Sequence, residues 1–127
     1  MPIYNGLASG GSESKTLLWQ NESPTSAFAS QTITLSDDAN KFKRLRIDVY
    51  LSTTSTYTVY FDLSDPSLFL SGNARFALSQ YSSSYGYVRY GSFSETYNKI
   101  WWSAAYRVGT TNSSTSVAKP LYIYGVK

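Results

Sequence analysis

Residues 43–63 read KRLRIDVYLSTTSTYTVYFDL, and this stretch decides the fold. Apolar and polar residues alternate on each side of a run of Ser and Thr. The apolar sets are Leu45, Ile47, Val49 and Leu51, followed by Tyr57, Val59, Phe61 and Leu63. Because side chains two residues apart share one face of a strand, each set predicts a strand with its apolar face in a core. Residues 52–55 are short enough to close an antiparallel hairpin, although they lack the Asn-Gly or Asp-Gly of the tightest turns.

The rest of the chain repeats this pattern of short apolar or alternating stretches between turn-forming residues. A further alternating set consists of Ala74, Phe76 and Leu78. The predicted strands are 15–20, 29–35, 43–51, 56–63, 74–81, 85–93, 99–108 and 121–126. No segment has sustained helical periodicity, so we expect an all-β fold: an antiparallel two-sheet β-sandwich, jelly-roll-like, with about eight strands. A single barrel is the alternative.

The composition predicts one folded domain. The chain has 127 residues, of which 42% are hydrophobic and 15% charged, which gives enough apolar surface for one core and too little charge for disorder. Residues 7–14 read LASGGSES, which is the composition of a linker. We therefore predict a flexible N-terminal tether at residues 1–14 and a single β-sandwich domain at residues 15–127.

The chain contains no His and no Cys, which removes the commonest general base and metal ligand, thiol nucleophiles and disulfides. Glycoside hydrolysis needs only two carboxylates, and the candidate pairs are Asp37 with Asp38 and Asp62 with Asp65. Both pairs lie in turn-like sequence, where Asp commonly bonds the backbone. We predict no catalytic residue, no metal and no cofactor, and a carbohydrate-active enzyme is the weakest hypothesis.

The basic run at residues 41–46, KFKRLR, continues into the first alternating strand. We interpret it as strand sequence whose solvent face carries Arg44, Arg46 and Asp48, so nucleic acid is not an expected partner. The first residues have neither a positive start nor an unbroken apolar run, and nothing approaches the roughly 20 apolar residues of a membrane span. A soluble, cytoplasmically made protein with no membrane partner is expected.

Aromatic residues make up 17% of the chain, and twelve of them are Tyr. Residues 80–87, QYSSSYGY, have the composition of a recognition loop, because Tyr gives a large contact area while Ser and Gly let the backbone adapt. The alternative is a plain strand–turn–strand in which the Tyr side chains cover a sheet surface.

Trp101 and Trp102 are adjacent in a predicted strand, so their side chains point to opposite faces of the sheet. The outward Trp needs cover, because a large exposed apolar ring is unfavourable without a partner. The cover is a loop of the same chain, a neighbouring subunit, or a ligand such as a sugar ring.

Two stretches resemble a known domain. Residues 17–35, LLWQNESPTSAFASQTITL, are similar to the opening of a C-terminal β-domain of tail-fibre, receptor-binding or minor structural proteins of phages and prophages of Gram-positive bacteria, and residues 119–127, KPLYIYGVK, resemble its end. The resemblance implies a virion protein, assembled in the host cytoplasm, near a fibre or spike tip. It also implies a homotrimer in contact with other virion proteins and with host cell-wall glycan.

The resulting hypothesis is a non-enzymatic virion domain that binds host cell-surface carbohydrate as a homo-oligomer. Tyr rings would stack on sugars, and Arg would meet phosphate or carboxylate groups. The candidate ligand-binding residues are Tyr81, Tyr85, Tyr87, Arg89, Tyr90, Trp102 and Arg75. The alternative is a capping or decoration domain of the virion whose aromatic residues are buried between subunits and touch no receptor.

Overall fold

The computed structural model describes residues 13–64, 70 and 74–127. The strands are β1 (Lys15–Gln20), β2 (Gln31–Thr34), β3 (Arg44–Ser52), β4 (Ser55–Asp62), β5 (Phe76–Ser82), β6 (Tyr85–Phe93), β7 (Lys99–Arg107), β8 (Ser113–Ser114) and β9 (Lys119–Val126). A single turn of 3-10 helix spans Ala39–Lys41. The predicted strands agree closely with these bounds, and the one addition is β8.

The strands form two antiparallel sheets, which confirms the predicted β-sandwich. Sheet A has the order β1-β9-β3-β4, and sheet B has the order β2-β7-β6-β5 with β8 also paired to β7. The pairs β1–β9 and β2–β7 join strands that are distant in sequence, and the second pair lies within the first along the chain. Inside them, β3–β4 and β5–β6 are local hairpins.

The hairpin of residues 43–63 supplies half of sheet A, as its alternation predicts. Leu45, Ile47 and Val49 are fully buried, and they pair across the hairpin with Phe61, Val59 and Tyr57, which pack against the same core. The prediction for Leu51 is wrong, since this side chain is 41% exposed. The register shifts between Tyr50 and Ser52, and such a bulge ends the alternation of faces.

The inner face of sheet B is built around aromatic rings. Phe76 lies edge-on to both Phe93 and Trp102, with ring centroids 5.8 and 5.5 Å away. Gly91 makes this packing possible, because a Cβ there would lie 2.6 Å from the rings of Phe76 and Trp102. Ala74 is half-buried and precedes β5, so only Phe76 and Leu78 of the predicted set lie in the core.

The basic run divides between two structures. Lys41 closes the 3-10 helix, Phe42 is buried against Gly125, and the strand begins at Arg44. Arg44 and Arg46 lie half-buried on the outer face of sheet A as predicted. Asp48 is 6% exposed rather than open to solvent, because Thr58 and Arg46 donate hydrogen bonds to it.

The two ends of the domain meet in sheet A. Lys15 pairs with Val126, and the backbone N–H of Lys127 donates to the carbonyl of Ser14. Glu13 accepts a hydrogen bond from Arg44. Of the predicted tether, residues 1–12 lie outside the described residues, while residues 13 and 14 contact the domain. No helix in the described part of the chain is long and apolar enough to cross a membrane.

Candidate binding face

The outer face of sheet B carries most of the exposed aromatic surface of the described residues. On β6, Arg89, Gly91 and Phe93 are buried, so Tyr90 points outward between them. Exposure is 75% for Tyr81, 40% for Tyr106 and 66% for Val108. We call Arg75, Tyr81, Tyr90, Trp101, Tyr106 and Val108 the outer aromatic face.

Strand pairing arranges these side chains in rows across the sheet. Tyr81 pairs with Gly86, and the N–H of Val108 donates to the Gly86 carbonyl. Tyr106 pairs with Val88 one row further on. The six residue steps from Arg75 to Tyr81 span about 20 Å at about 3.3 Å per step, which is the length of several sugar rings.

The hairpin turn between β5 and β6 fixes the position of Tyr81. Ser83 and Ser84 have φ of 53° and 70°, and positive φ at both central residues is what a type I′ turn requires. This conformation is unfavourable for residues other than Gly, Asn and Asp. A groove of about 250 Å³ lies beside the hairpin. Its lining residues are Ser79, Gln80, Tyr81, Gly86, Tyr87, Val88 and Val108.

Arg75 is the cation of the outer aromatic face. Its guanidinium lies over the rings of Tyr90 and Trp101, 6.0 and 5.5 Å from their centroids. Sheet B contains no Asp or Glu in any of its five strands. Among the described residues, Arg75 forms no ion pair, so its charge is free to attract an anionic ligand.

The arginines on the outer face of sheet A form ion pairs with carboxylates of the same chain. Arg44 pairs with Glu13 and lies 4.0 Å from Asp62, while Arg46 Nε lies 3.1 Å from Asp48 Oδ1. The hydrogen bond to Asp48 raises the pKa of Arg46. These ion pairs engage both arginines of this face with carboxylates.

The structure separates the predicted ligand-binding residues into three groups. Tyr81, Tyr90 and Arg75 lie on the outer aromatic face. Tyr85 is 47% exposed. It lies two residues from Tyr87 on β6, so both side chains project from the side of the hairpin opposite to Tyr81 and Tyr90. The Arg107 guanidinium lies there, 3.9 Å from the centroid of the Tyr85 ring. Tyr87 is half-buried and packs against the core.

The predictions for Arg89 and Trp102 are wrong, because both side chains are 0% exposed. Trp101 and Trp102 do lie on opposite sides of β7, but the outward ring is Trp101. Trp102 packs against Phe76 in the core, whereas Trp101 is half-buried under Arg75. The cover of the outward Trp comes from the same chain, which was one of the expected alternatives.

Arg89 organises the inside of sheet B. It donates four hydrogen bonds to backbone carbonyls, at 2.9 Å to Ala118, 2.9 Å to Phe28, 2.6 Å to Ser103 and 3.1 Å to Val117. Burial lowers the pKa of Arg89 to about 10, so the side chain remains a cation at neutral pH. Carbonyl dipoles from three separate segments take the place of a carboxylate partner. The Arg89 side chain thus fastens the loops before β2 and β9 to the sheet.

Sequence reasoning missed Trp101, Tyr106 and Val108 as members of the outer aromatic face. The alternation of β7 was visible, but β7 carries an extra residue: Arg89 and Gly91 pair with Ala105 and Trp102. The bulge changes which residues face outward, and the sequence gives no turn or glycine signal for it. By contrast, the sequence alone shows that residues 76–93 and 99–108 contain no Asp or Glu. Glu95 lies between these two ranges.

Three of the four candidate carboxylates, Asp37, Asp38 and Asp62, lie in the part of the chain that the structure describes. Asp37 accepts a hydrogen bond from the Asp38 N–H, and its Oδ1 forms an ion pair with Lys41 Nζ at 2.9 Å. Asp37 therefore shapes the turn before the 3-10 helix, as predicted. That hydrogen-bonded pair with Lys41 lowers the pKa of Asp37. Asp62 ends β4 rather than lying in a turn, and Asp65 lies outside the described residues. Within residues 13–64, 70 and 74–127, no group of three or more acidic side chains forms a metal site.

A scan of the chain against models of known protein families finds no match, and a search of curated proteins finds no similar sequence. A function is therefore inferred from the geometry of the two outer faces and from the sequence resemblance of residues 17–35 and 119–127.

Proposed function

We propose that this chain is a non-enzymatic domain of a phage virion that binds host cell-surface carbohydrate through the outer aromatic face. The observation that carries the proposal is the row of outward aromatic rings on a sheet without acidic residues. Tyr rings offer both stacking surfaces and hydroxyl groups to a sugar. Arg75 adds a cation that suits the phosphate or carboxylate groups of cell-wall polymers.

The virion part of the proposal is supported by the sequence resemblance. In the fold, the two resembling stretches are neighbours: residues 17–35 contain most of β1 and all of β2, and residues 119–127 contain β9, which pairs with β1. The resemblance therefore covers one contiguous part of the sandwich rather than two unrelated segments. Assembly as a homotrimer, contact with other virion proteins and location in the particle follow from the resemblance and belong to the proposal.

Binding to purified cell walls of Gram-positive bacteria tests the carbohydrate part. Replacement of Tyr81 and Tyr106 together by Ala should weaken binding at least about tenfold, because two stacking surfaces are removed. Tyr60→Ala is the matched control, since Tyr60 is 55% exposed on the outer face of sheet A. Equal binding by wild type and the double variant contradicts the proposal.

The second candidate is a capping or decoration domain with no receptor contact, and the exposure of Tyr81 and Val108 favours it. Two large apolar side chains beside a groove are typical of an interface between copies of a chain. Sedimentation of wild type and of Val108→Glu separates the two candidates. If the variant becomes monomeric and cell walls bind neither form, the structural role is favoured. If the monomeric variant still binds cell walls, the carbohydrate role is favoured.

A further inference from the structure

A second recess lies on sheet A, at the end where β3 turns into β4. It is a cleft of about 400 Å³, larger than the groove beside Tyr81 and within the size range of small-ligand sites. The residues that line it are Pro24, Thr25, Tyr50, Ser52, Thr53, Thr54, Ser55, Thr56, Leu121 and Tyr122. We call it the hairpin cleft.

The lining of the hairpin cleft combines aromatic rings with hydroxyl groups, and none of its described residues carries a charged side chain. Tyr50 and Tyr122 are half-buried, so their rings are held in place while part of each stays accessible. Another part of the lining is the hairpin turn with its flanking residues: Ser52, Thr53, Thr54, Ser55 and Thr56. The structure gives the side chains of these five residues no hydrogen bond to another described residue. A ring of free hydroxyls beside aromatic faces matches a neutral, hydroxylated ligand.

The wall formed by Pro24 and Thr25 is fixed before any ligand arrives. Asn21 is 8% exposed, and its side-chain amide donates to the Pro120 carbonyl at 3.1 Å and accepts from the Ser23 N–H at 2.9 Å. The N–H of Ser26 then donates to the Ser23 carbonyl at 3.0 Å. A preformed wall lowers the entropic cost of binding.

Lys119, a cation of the described residues that lies next to the hairpin cleft, is already engaged. Lys119 is 6% exposed, its Nζ donates to the Ser26 carbonyl at 3.2 Å, and it lies 5.1 Å from the centroid of the Tyr50 ring. This contact holds the Tyr50 ring and keeps the ammonium group out of the cleft. Phosphate and carboxylate ligands therefore find no cation here, in contrast to the outer aromatic face with Arg75.

We propose that the hairpin cleft is a site for one neutral sugar ring, either a free hexose or N-acetylhexosamine or the terminal residue of a glycan. The ring would stack on Tyr50 or Tyr122, and its hydroxyls would bond the Ser and Thr side chains of the hairpin turn. This site lies on the other sheet from the outer aromatic face, and its ligand is uncharged. A failure of the function proposed above would not contradict this site, and a failure of this site would not contradict that function.

Titration of the labelled protein with free hexoses and N-acetylhexosamines, followed by amide NMR shifts, tests the proposal. A ligand of this size should bind with a Kd on the order of 1 mM and shift amides of residues 24–25 and 50–56. Tyr50→Ala should weaken binding at least about tenfold. Because Tyr50 also covers Lys119, Thr54→Arg serves as the second variant: it fills the cleft from the exposed turn and should also prevent binding.

Thr111→Arg is the matched control, since Thr111 is exposed on the turn after β7 and should leave the titration unchanged. Shifts with a glycan but with no free sugar would identify a terminal glycan residue as the ligand. The proposal is overturned if neither free sugar nor glycan shifts the amides of the hairpin cleft, or if Thr54→Arg binds like wild type. Loss of cell-wall binding in the Tyr81 and Tyr106 variant, with an unresponsive hairpin cleft, would remove this proposal alone.

Discussion

The two sheets of this sandwich contain similar residue types but differ in where their aromatic and charged side chains lie. Sheet A has a mainly aliphatic inner face, to which β4 adds Tyr57 and Phe61, and an outer face whose arginines are neutralised by Glu13, Asp48 and Asp62. Sheet B has an aromatic inner face around a buried arginine, and an outer face with aromatic rings and no acidic residue. The difference teaches that the position of a carboxylate, rather than the number of Tyr or Arg residues, decides which arginines of the described residues are ion-paired and which are not.

The largest expected effect tests the inside of sheet B. Arg89→Met removes all four hydrogen bonds to backbone carbonyls and leaves those buried carbonyls unpaired. We expect a loss of about 3 kcal/mol or more in the free energy of unfolding, measured by urea denaturation. Arg75→Met, on the outer face of the same sheet, should change it by less than about 0.5 kcal/mol. Similar values for the two variants would refute the role assigned to Arg89.

Gly91 gives the next largest effect. Gly91→Ala places a methyl group where the rings of Phe76 and Trp102 lie 2.6 Å away, so the aromatic core must shift. Overpacking of this kind costs about 1–3 kcal/mol, visible as a lower urea midpoint. Gly86→Ala is the control, since its Cβ would meet Val108 at 3.8 Å, an ordinary contact. A Gly91→Ala variant as stable as wild type would show that the aromatic rings of sheet B can shift at little cost.

The contrast in charge between the two outer faces has its own test. Arg75→Gln should weaken binding to anionic cell-wall polymer about fivefold, because the guanidinium has no competing carboxylate. The matched variant Arg44→Gln removes a cation that Glu13 already neutralises, so binding should stay unchanged. Affinities measured at low and physiological salt check both variants. An equal loss in the two would show that only the net charge of the protein matters.

A smaller effect separates the two hairpins. Ser83→Asn with Ser84→Gly supplies residues that tolerate the positive φ of this turn, so thermal stability should rise by about 0.5–1 kcal/mol. The same pair of changes at Thr53 and Thr54 should give no gain, because those residues do not have positive φ. Calorimetry of both double variants makes the comparison. Equal gains at the two turns would contradict the strain assigned to the β5–β6 turn.

The smallest effect lies at alkaline pH on the inner face of sheet A. Burial raises the pKa of the Tyr57 hydroxyl above its ordinary value of 10.0, while the Ser79 backbone acts weakly in the opposite direction. A raised folded pKa means that the contribution of Tyr57 is fully present below pH 10 and is lost as the pH rises through the folded pKa. Tyr57→Phe should therefore lose less stability than wild type above about pH 10. If the free energies of unfolding of wild type and Tyr57→Phe fall equally with pH across that range, the prediction is contradicted.

Much of the fold was predictable because alternation and turn residues act locally. The strand bounds, the two hairpins and the opposite faces of Trp101 and Trp102 all follow from spacing within a few residues. Bulges were not predictable: those at Leu51 and after Trp102 depend on how partner strands align, and they decided which residues leave the core.

The candidate site was only partly predictable for a related reason. Tyr81, Tyr90 and Arg75 were identified from composition, and their outward positions agree with that expectation. Arg89 was expected to meet phosphate or carboxylate groups of a ligand, because a guanidinium presents a planar fork of donors. Its partners Phe28 and Val117 lie 61 and 28 residues away in sequence, so nothing local could indicate that backbone carbonyls would replace a carboxylate.

The pairing of Lys15 with Val126 also determines how the domain responds to pulling. When tension is applied between these two residues, the antiparallel ladder of β1 and β9 opens from one end, and each hydrogen-bonded pair carries the load in turn. The domain is therefore expected to be mechanically weak when it is pulled apart through its two ends.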